Sequence, residues 1–397
     1  MFRRTTWLIS VFALAVAMAY AQAPAGGRGG SGRGGRGGGG GRGPALVSPQ
    51  VNADHTITLR FRAPNAKTVD AIGEIDGKDH PMTKDDSGTW SVTIGPLTPD
   101  IYNYQFRIDA VNGAGGVIAM DPQNPQVKLG FGAFPPASLV EVPGDGLIFD
   151  DAKPVPHGTV RLETYDSKTI GAPRTLWIYT PPGYEKGNQK YPVFYLLHGS
   201  GNIDSSWILT GRENYIMDNL IAEGKSKPMI IVNPLGYVEE GVGLGPVREA
   251  DRTAAASAFG DDLIKDVIPY VEKTYRTLKD ADHRALGGLS MGGGQTISVG
   301  FPHLDLFHTL VIMSMGAQNA DTTYPAFFAN PAATNKTLKL LWLGVGKDDN
   351  LVGPQAKALE ATLVAKGIKH VYSLSEGRHE WVVWRHALYE VAPQMFR

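Results

Sequence analysis

A glycine-flanked serine in the run Arg284-Ala-Leu-Gly-Gly-Leu-Ser-Met-Gly-Gly-Gly294 constrains this chain more than any other stretch. At its centre, Gly288-Leu289-Ser290-Met291-Gly292 is a Gly-x-Ser-x-Gly pentapeptide. Arg284 to Gly287 reads as a short buried strand and Met291 to Val299 as a helix, so Ser290 falls on a strand-to-helix turn. Such a turn lifts the hydroxyl out of the sheet, and the glycines let neighbouring backbone pass close by. The N-terminus of the following helix favours negative charge developing beside it. A glycine-rich βα turn also occurs in doubly wound folds without any nucleophile, so the serine needs partners before it implies chemistry.

A serine hydroxyl is a poor nucleophile at neutral pH. It needs a base within hydrogen-bond reach, an acid to orient that base, and donors for the oxyanion. In a hydrolase built on a strand–turn–helix nucleophile the chain order is Ser, then Asp or Glu, then His. Leu340-Leu-Trp-Leu-Gly-Val-Gly346 reads as a late strand, and Lys347-Asp348-Asp349-Asn350 is the loop at its C-terminal end, where such groups gather in open sheets. Asp349 is the expected acid and Asp348 the alternative. The competing role for both is capping the helix that begins near Pro354. His379, in Glu376-Gly-Arg-His-Glu-Trp-Val-Val-Trp384, follows the last strand and is the expected base. His370 and His386 read as structural or surface residues. His379-Glu380 is followed by no histidine at 383, so metalloprotease zinc spacing is absent. The oxyanion donors are expected to be the amides of Met291 and of Ser200, the latter in Leu196-Leu-His-Gly-Ser-Gly201 at the end of an early strand. His198 precedes the nucleophile in the chain and is expected to brace that loop.

The remaining sequence divides by composition. Met1 to Ala21 has Arg3 and Arg4, a short apolar core from Trp7 to Met18, and Ala19-Tyr20-Ala21, which reads as a cleaved export signal rather than a stable membrane span. Residues 22–44 are almost all glycine and arginine and read as a disordered linker. Residues 1–44 hold six arginines and no acids, which leaves 32 basic against 39 acidic residues in the body. That mildly acidic body gives no reason to expect a nucleic-acid partner. There are no cysteines, hence no disulfide, thiol nucleophile or cysteine metal site.

From 45 to 142 short period-two runs, such as Thr56–Arg62, Thr89–Ile94 and Tyr102–Ile108, alternate with turn signals and predict a small all-β sandwich. Trp90, Tyr102 and Tyr104 read first as packing, with a sugar platform as the alternative. Residues 143–157 form the passage to 158–397, where apolar strands alternate with helical stretches and predict an α/β fold with a mostly parallel sheet. One of those helices carries the stripe Leu263, Ile264, Val267, Ile268 and Val271, with Asp261-Asp262 expected to cap its start.

Tyr195-Leu-Leu-His-Gly-Ser-Gly-Asn202, Met217-Asp-Asn-Leu-Ile-Ala-Glu-Gly-Lys225, Pro228-Met-Ile-Ile-Val-Asn233 and Gly287-Gly-Leu-Ser-Met-Gly-Gly-Gly294 together resemble the esterase D-like serine hydrolases of carbohydrate esterase family 1. The resemblance covers roughly 158–397 and implies an α/β-hydrolase whose triad falls on Ser290, Asp349 and His379. Arg62-Ala-Pro-Asn-Ala-Lys67, Met82-Thr-Lys-Asp-Asp86 and Trp90 resemble the early-set, immunoglobulin-like module related to family-48 carbohydrate-binding modules. The implied activity is ester hydrolysis on feruloyl or acetyl esters of plant polysaccharides, with no cofactor or metal, and the export signal predicts a secreted or periplasmic protein. Siderophore esterase, acyltransferase and non-catalytic glycan binder are the alternatives. Trp207, Met291, Trp381 and Trp384 are the candidate acyl-pocket residues, the tryptophans as stacking surfaces; packing of the last helix is the competing role for Trp381 and Trp384. Glycan contact by the N-terminal module is left open.

Overall fold

The computed structural model describes residues 46–111, 113–238 and 258–397. The export signal over 1–21 and the linker over 22–44 lie outside the described residues.

The first domain is a sandwich of two antiparallel sheets. One holds Gln50–Val51, Ile57–Arg62, Thr89–Ile94 and Thr83–Lys84 in that spatial order; the other is centred on Asp100–Ile108, paired with Val69–Gly73 and Ala137–Val142. Alternation decides which side chains go inside. Ile57 and Leu59 are buried while the alternating Thr58 and Arg60 are not. Trp90, Tyr102 and Tyr104 are all buried, and their polar tips are used internally, on Ala63 O, Thr98 O and Asp121 Oδ2. They are core residues, so these three rings offer no face to a sugar.

The second domain is one eight-stranded sheet. Its strands are β1 (Thr159–Ser167), β2 (Ala172–Thr180), β3 (Val193–Leu197), β4 (Ile230–Pro234), β5 (Arg284–Leu289), β6 (Thr309–Met313), β7 (Leu340–Gly346) and β8 (Val371–Ser375). The order is β1-β2-β4-β3-β5-β6-β7-β8. β1 to β2 and β2 to β4 are antiparallel; every later pairing is parallel. Residues of β3, β4, β5 and β6 are buried without a break, as parallel strands covered on both faces require. Val193, Tyr195 and Leu197 point into one core and Phe194 and Leu196 into the other. Each such apolar side chain contributes roughly 1.5–3 kcal/mol by leaving water.

The helices that matter for the site are α1 (Glu213–Ala222), α2 (Ile268–Thr274), α3 (Met291–Gly300), α4 (Gly353–Ala365) and α5 (Trp381–Val391). α2, α3 and α4 cover one face of the sheet; α1 and α5 cover the other. The stretch before α2 departs from the sequence reading. Backbone is already helical at 258, where the described residues resume, and passes through a π turn, Leu263–Val267. Asp262 caps nothing there: it is fully buried, accepts from Tyr165 Oη at 2.7 Å and lies 3.2 Å from Arg174 Nε.

α5 also ties the two domains together. Arg385 is 0% exposed and its guanidinium donates to Asp100 of the sandwich, to Ile101 O and to Thr210 O. His386, read from the sequence as structural or surface, lies 3.1 Å from the other Asp100 oxygen. The Arg385 charge is the leading force holding Asp100 below the usual carboxylate range against its burial. Val382 packs against the sandwich core, and the Trp381 N–H donates to Glu74 Oε2 at 3.2 Å.

Candidate active site

Ser290 joins β5 to α3 with φ 51° and ψ −116°, a conformation that costs a non-glycine residue strain. The flanking glycines make the turn fit. A Cβ on Gly288 would stand 2.7 Å from the Gly292 backbone and from Leu197, and one on Gly292 would stand 2.6 Å from His198 O. The strained serine and its close-packed glycines are therefore one device for presenting the hydroxyl above the sheet.

His379, between β8 and α5, places Nε2 2.9 Å from Ser290 Oγ and Nδ1 2.8 Å from Asp349 Oδ2. Asp349 follows β7 and is 3% exposed. Its other oxygen accepts from the N–H groups of Leu351 and Val352, at 3.1 and 3.0 Å, just ahead of α4. Burial pushes this carboxyl up. The hydrogen bonds from His379, Val352 and Leu351 outweigh it and hold the pKa below the usual range. With Nδ1–H given to a firmly ionised carboxylate, Nε2 is free to accept the serine proton. Asp348 is exposed and only its backbone engages the loop, through N–H to Gly377 O.

Met291 N is the first amide of α3 and so lacks a partner within the helix. The Ser200 loop lies against the nucleophile: a Cβ on Gly199 would meet Ser290 Cβ at 3.2 Å. His198 sits beneath that loop, 1% exposed. Its Nε2 accepts from Gly236 N–H at 2.9 Å, so Nδ1 carries the proton and donates to Gly199 O at 2.9 Å. Burial lowers its pKa to about 4, which keeps the ring neutral and that pattern fixed.

The tryptophans take the packing role and not the acyl-pocket one. Trp207, Trp381 and Trp384 are 0, 1 and 4% exposed, and each indole N–H is used internally, on Leu197 O, Asn202 Oδ1 and Ser314 Oγ respectively. They pack edge-to-face in a row, Trp207 on Trp381 and Trp381 on Trp384, and Trp384 meets the His379 ring edge-on at 5.2 Å. The cause is their position on the apolar faces of α5 and of the turn after β3, which point into the sheet core. They support His379 and do not form an acyl-stacking surface. Sequence reasoning also missed Gly236, Tyr237 and Gln295. Gln295 donates to Gly236 O at 2.8 Å and Tyr237 reaches the Ser200 loop. The available signal was that Gly236 and Tyr237 follow β4 at the same end of the sheet.

The chain matches two family models, putative esterase over residues 167–395 and carbohydrate-binding module 48 (isoamylase N-terminal domain) over 47–123. It is 33% identical over 357 residues to the endo-1,4-beta-xylanase/feruloyl esterase of Xylanibacter ruminicola, covering 88% of this chain and 46% of that protein. It is 27% identical to endo-1,4-beta-xylanase Y of Acetivibrio thermocellus, covering 60% of this chain and 23% of that one. The chain thus spans less than half the length of these relatives. The ferulic acid esterase of Anaeromyces mucronatus, solved with ferulic acid, superposes with a TM-score of 0.54 at 25% identity over 62% of this chain and 93% of that one. The enterobactin esterase of Shigella flexneri gives 0.63 at 16% identity over 85% of this chain and 92% of that one, a shared fold too extensive for the esterase domain alone. Eight strands in hydrolase order, a serine on the turn after the fifth and an esterase model spanning more than half the chain lead to one assignment: this chain belongs to the putative esterase family, on an α/β-hydrolase fold preceded by an immunoglobulin-like sandwich.

Proposed function

We propose that this chain is an exported serine carboxylic-ester hydrolase that cleaves feruloyl or acetyl esters of plant polysaccharides through an acyl-enzyme. The observation that carries the reading is the unbroken hydrogen-bond path Asp349–His379–Ser290 at the C-terminal edge of the sheet. Ser290 Oγ attacks the ester carbonyl while its proton passes to His379 Nε2. The carbonyl electrons collect on the oxyanion between the amides of Met291 and Ser200. Collapse breaks the bond to the alcohol, which leaves with the proton from His379. Water, deprotonated by His379, then attacks the acyl-serine; its collapse returns Ser290 and releases the acid. Asp349 holds the imidazole in the required tautomer throughout. Every step uses side chains and peptide groups of this chain.

The substrate class is supported by the name of the Xylanibacter relative, and export by the reading of Met1 to Ala21. The test is a screen of methyl ferulate, acetylated xylan and a catecholate siderophore ester with the purified protein and its Ser290→Ala variant. Hydrolysis of the first two that vanishes in the variant is expected. Turnover of only the siderophore ester would replace the substrate class, and full activity in Ser290→Ala would remove the mechanism.

A further inference from the structure

The peptide group between Gly199 and Ser200 is held from its carbonyl side. A peptide is planar and trans, so its C=O and N–H point in opposite directions. Whatever fixes Gly199 O therefore aims the Ser200 N–H. Among the described residues three groups hold Gly199 O: Nδ1–H of His198 at 2.9 Å, the Asn202 N–H at 3.1 Å and, more loosely, the Tyr237 hydroxyl at 3.5 Å. The same hydroxyl accepts from the Gly201 N–H at 2.8 Å. Tyr237 thus grips the chain on both sides of Ser200, and its ring stands 5.2 Å from that of His198.

The tyrosine is itself held by the other domain. Phe131 of the sandwich stacks on it, with ring centroids 4.2 Å apart and planes 25° from parallel. Phe134 lies over Gly201, whose φ of 75° and lack of a side chain allow the approach; a Cβ there would overlap the ring. Phe131 and Phe134 pair with each other across a tight turn of the sandwich.

We propose that Tyr237 is a positioning residue for the oxyanion donor Ser200, and that Phe131 of the N-terminal sandwich fixes Tyr237 in that role. The proposal rests on the serine-esterase reading above. It makes the sandwich a part of the catalytic apparatus, whatever glycan it contacts.

The experiment compares Tyr237→Phe, Phe131→Leu and Phe131→Tyr with the parent, using p-nitrophenyl acetate and an aryl trifluoromethyl ketone that adds reversibly to a catalytic serine. Tyr237→Phe keeps the stack and loses the grip. Removing an oxyanion donor outright costs roughly 10²–10³-fold, so loosening one should cost kcat roughly 10-fold with KM within about twofold. Ketone affinity should weaken by a similar factor, because its adduct places an oxyanion in the hole. Phe131→Leu should move both quantities in the same direction by less, and Phe131→Tyr should restore them. A merely structural role would shift melting temperature without linking kcat to ketone affinity. Unchanged kcat and ketone affinity in Tyr237→Phe overturns the proposal, as does a change confined to KM. Full activity in Ser290→Ala would instead overturn the esterase reading beneath it.

Discussion

Glu213 opens α1 with its side chain fully buried. One carboxyl oxygen accepts from Asn233 Nδ2 at 2.6 Å; the other has no hydrogen-bond partner among the described residues. Burial pushes its pKa from 4.5 up to about 8, and the Asn233 hydrogen bond offsets only part of that. The unfolded chain therefore releases this proton near pH 4.5 and the folded chain keeps it until about pH 8. Between those values the folded state binds more protons, so raising the pH favours unfolding. The slope is about 1.4 kcal/mol per pH unit for one proton. By pH 7 the accumulated cost is on the order of 3 kcal/mol, a large share of a typical stability of about 5–15 kcal/mol.

Glu213→Gln removes the ionisation and keeps the shape. Its amide brings an extra buried donor, which shifts stability by a constant that does not depend on pH. The informative quantity is thus the difference between the two proteins followed across pH. Urea unfolding at pH 4.5, 6, 7 and 8 and constant ionic strength should show the glutamine variant gaining on the parent by on the order of 3 kcal/mol between pH 4.5 and 7. His198, buried with a pKa of about 4, works in the opposite sense, since protons taken up by the unfolded chain in acid favour unfolding. It is present in both proteins and cancels. Curves that stay parallel from pH 4.5 to 8 would refute the reasoning, because Glu213 would then titrate inside the fold as it does in water.

Asp349→Asn should lower kcat on p-nitrophenyl acetate by roughly 10³–10⁴-fold, since an amide facing Nδ1 favours the tautomer that cannot accept the serine proton; Asp348→Asn should stay within about threefold. Asp100→Ala leaves the buried Arg385 with two backbone carbonyls and, as its one carboxylate among the described residues, Asp150 at 3.4 Å, whose own pKa is raised by burial. Thermal unfolding should show a loss of roughly 3 kcal/mol or more; a loss under about 1 kcal/mol would mean water reaches Arg385.

The triad was legible because its members are fixed by topology. Ser290, Asp349 and His379 each follow a strand at the same edge of one sheet, and chain order alone nearly determines their roles. The sequence favoured Asp349 over Asp348, and the turn supplies the reason: Leu351 and Val352 donate to one of its oxygens and His379 lies on the other. The tryptophans misled for a physical reason. A large aromatic near a catalytic histidine suits a substrate wall and a packed core equally, and only burial tells them apart. Trp207, Trp381 and Trp384 fall on the faces turned to the sheet. The Arg385–Asp100 pair could not be read at all: the two residues stand 285 apart in sequence, and no local pattern marks a buried interdomain contact.

That pair changes what the N-terminal domain is for. α5 begins two residues after His379, its first amide is received by Glu74, and its fifth residue is pinned to Asp100. Its Trp384 meets the His379 ring edge-on and is backed by Trp381. The Ser200 loop is meanwhile touched by Phe134 and, through Tyr237, by Phe131. The sandwich thus reaches both the helix that follows His379 and the Ser200 loop. A module held only to capture glycan would need neither contact, and a tethered module would not bury an arginine at the joint. Substitutions in the sandwich at Glu74, Asp100, Phe131 and Phe134 are therefore expected to reach the Ser290 site as directly as substitutions in the sheet.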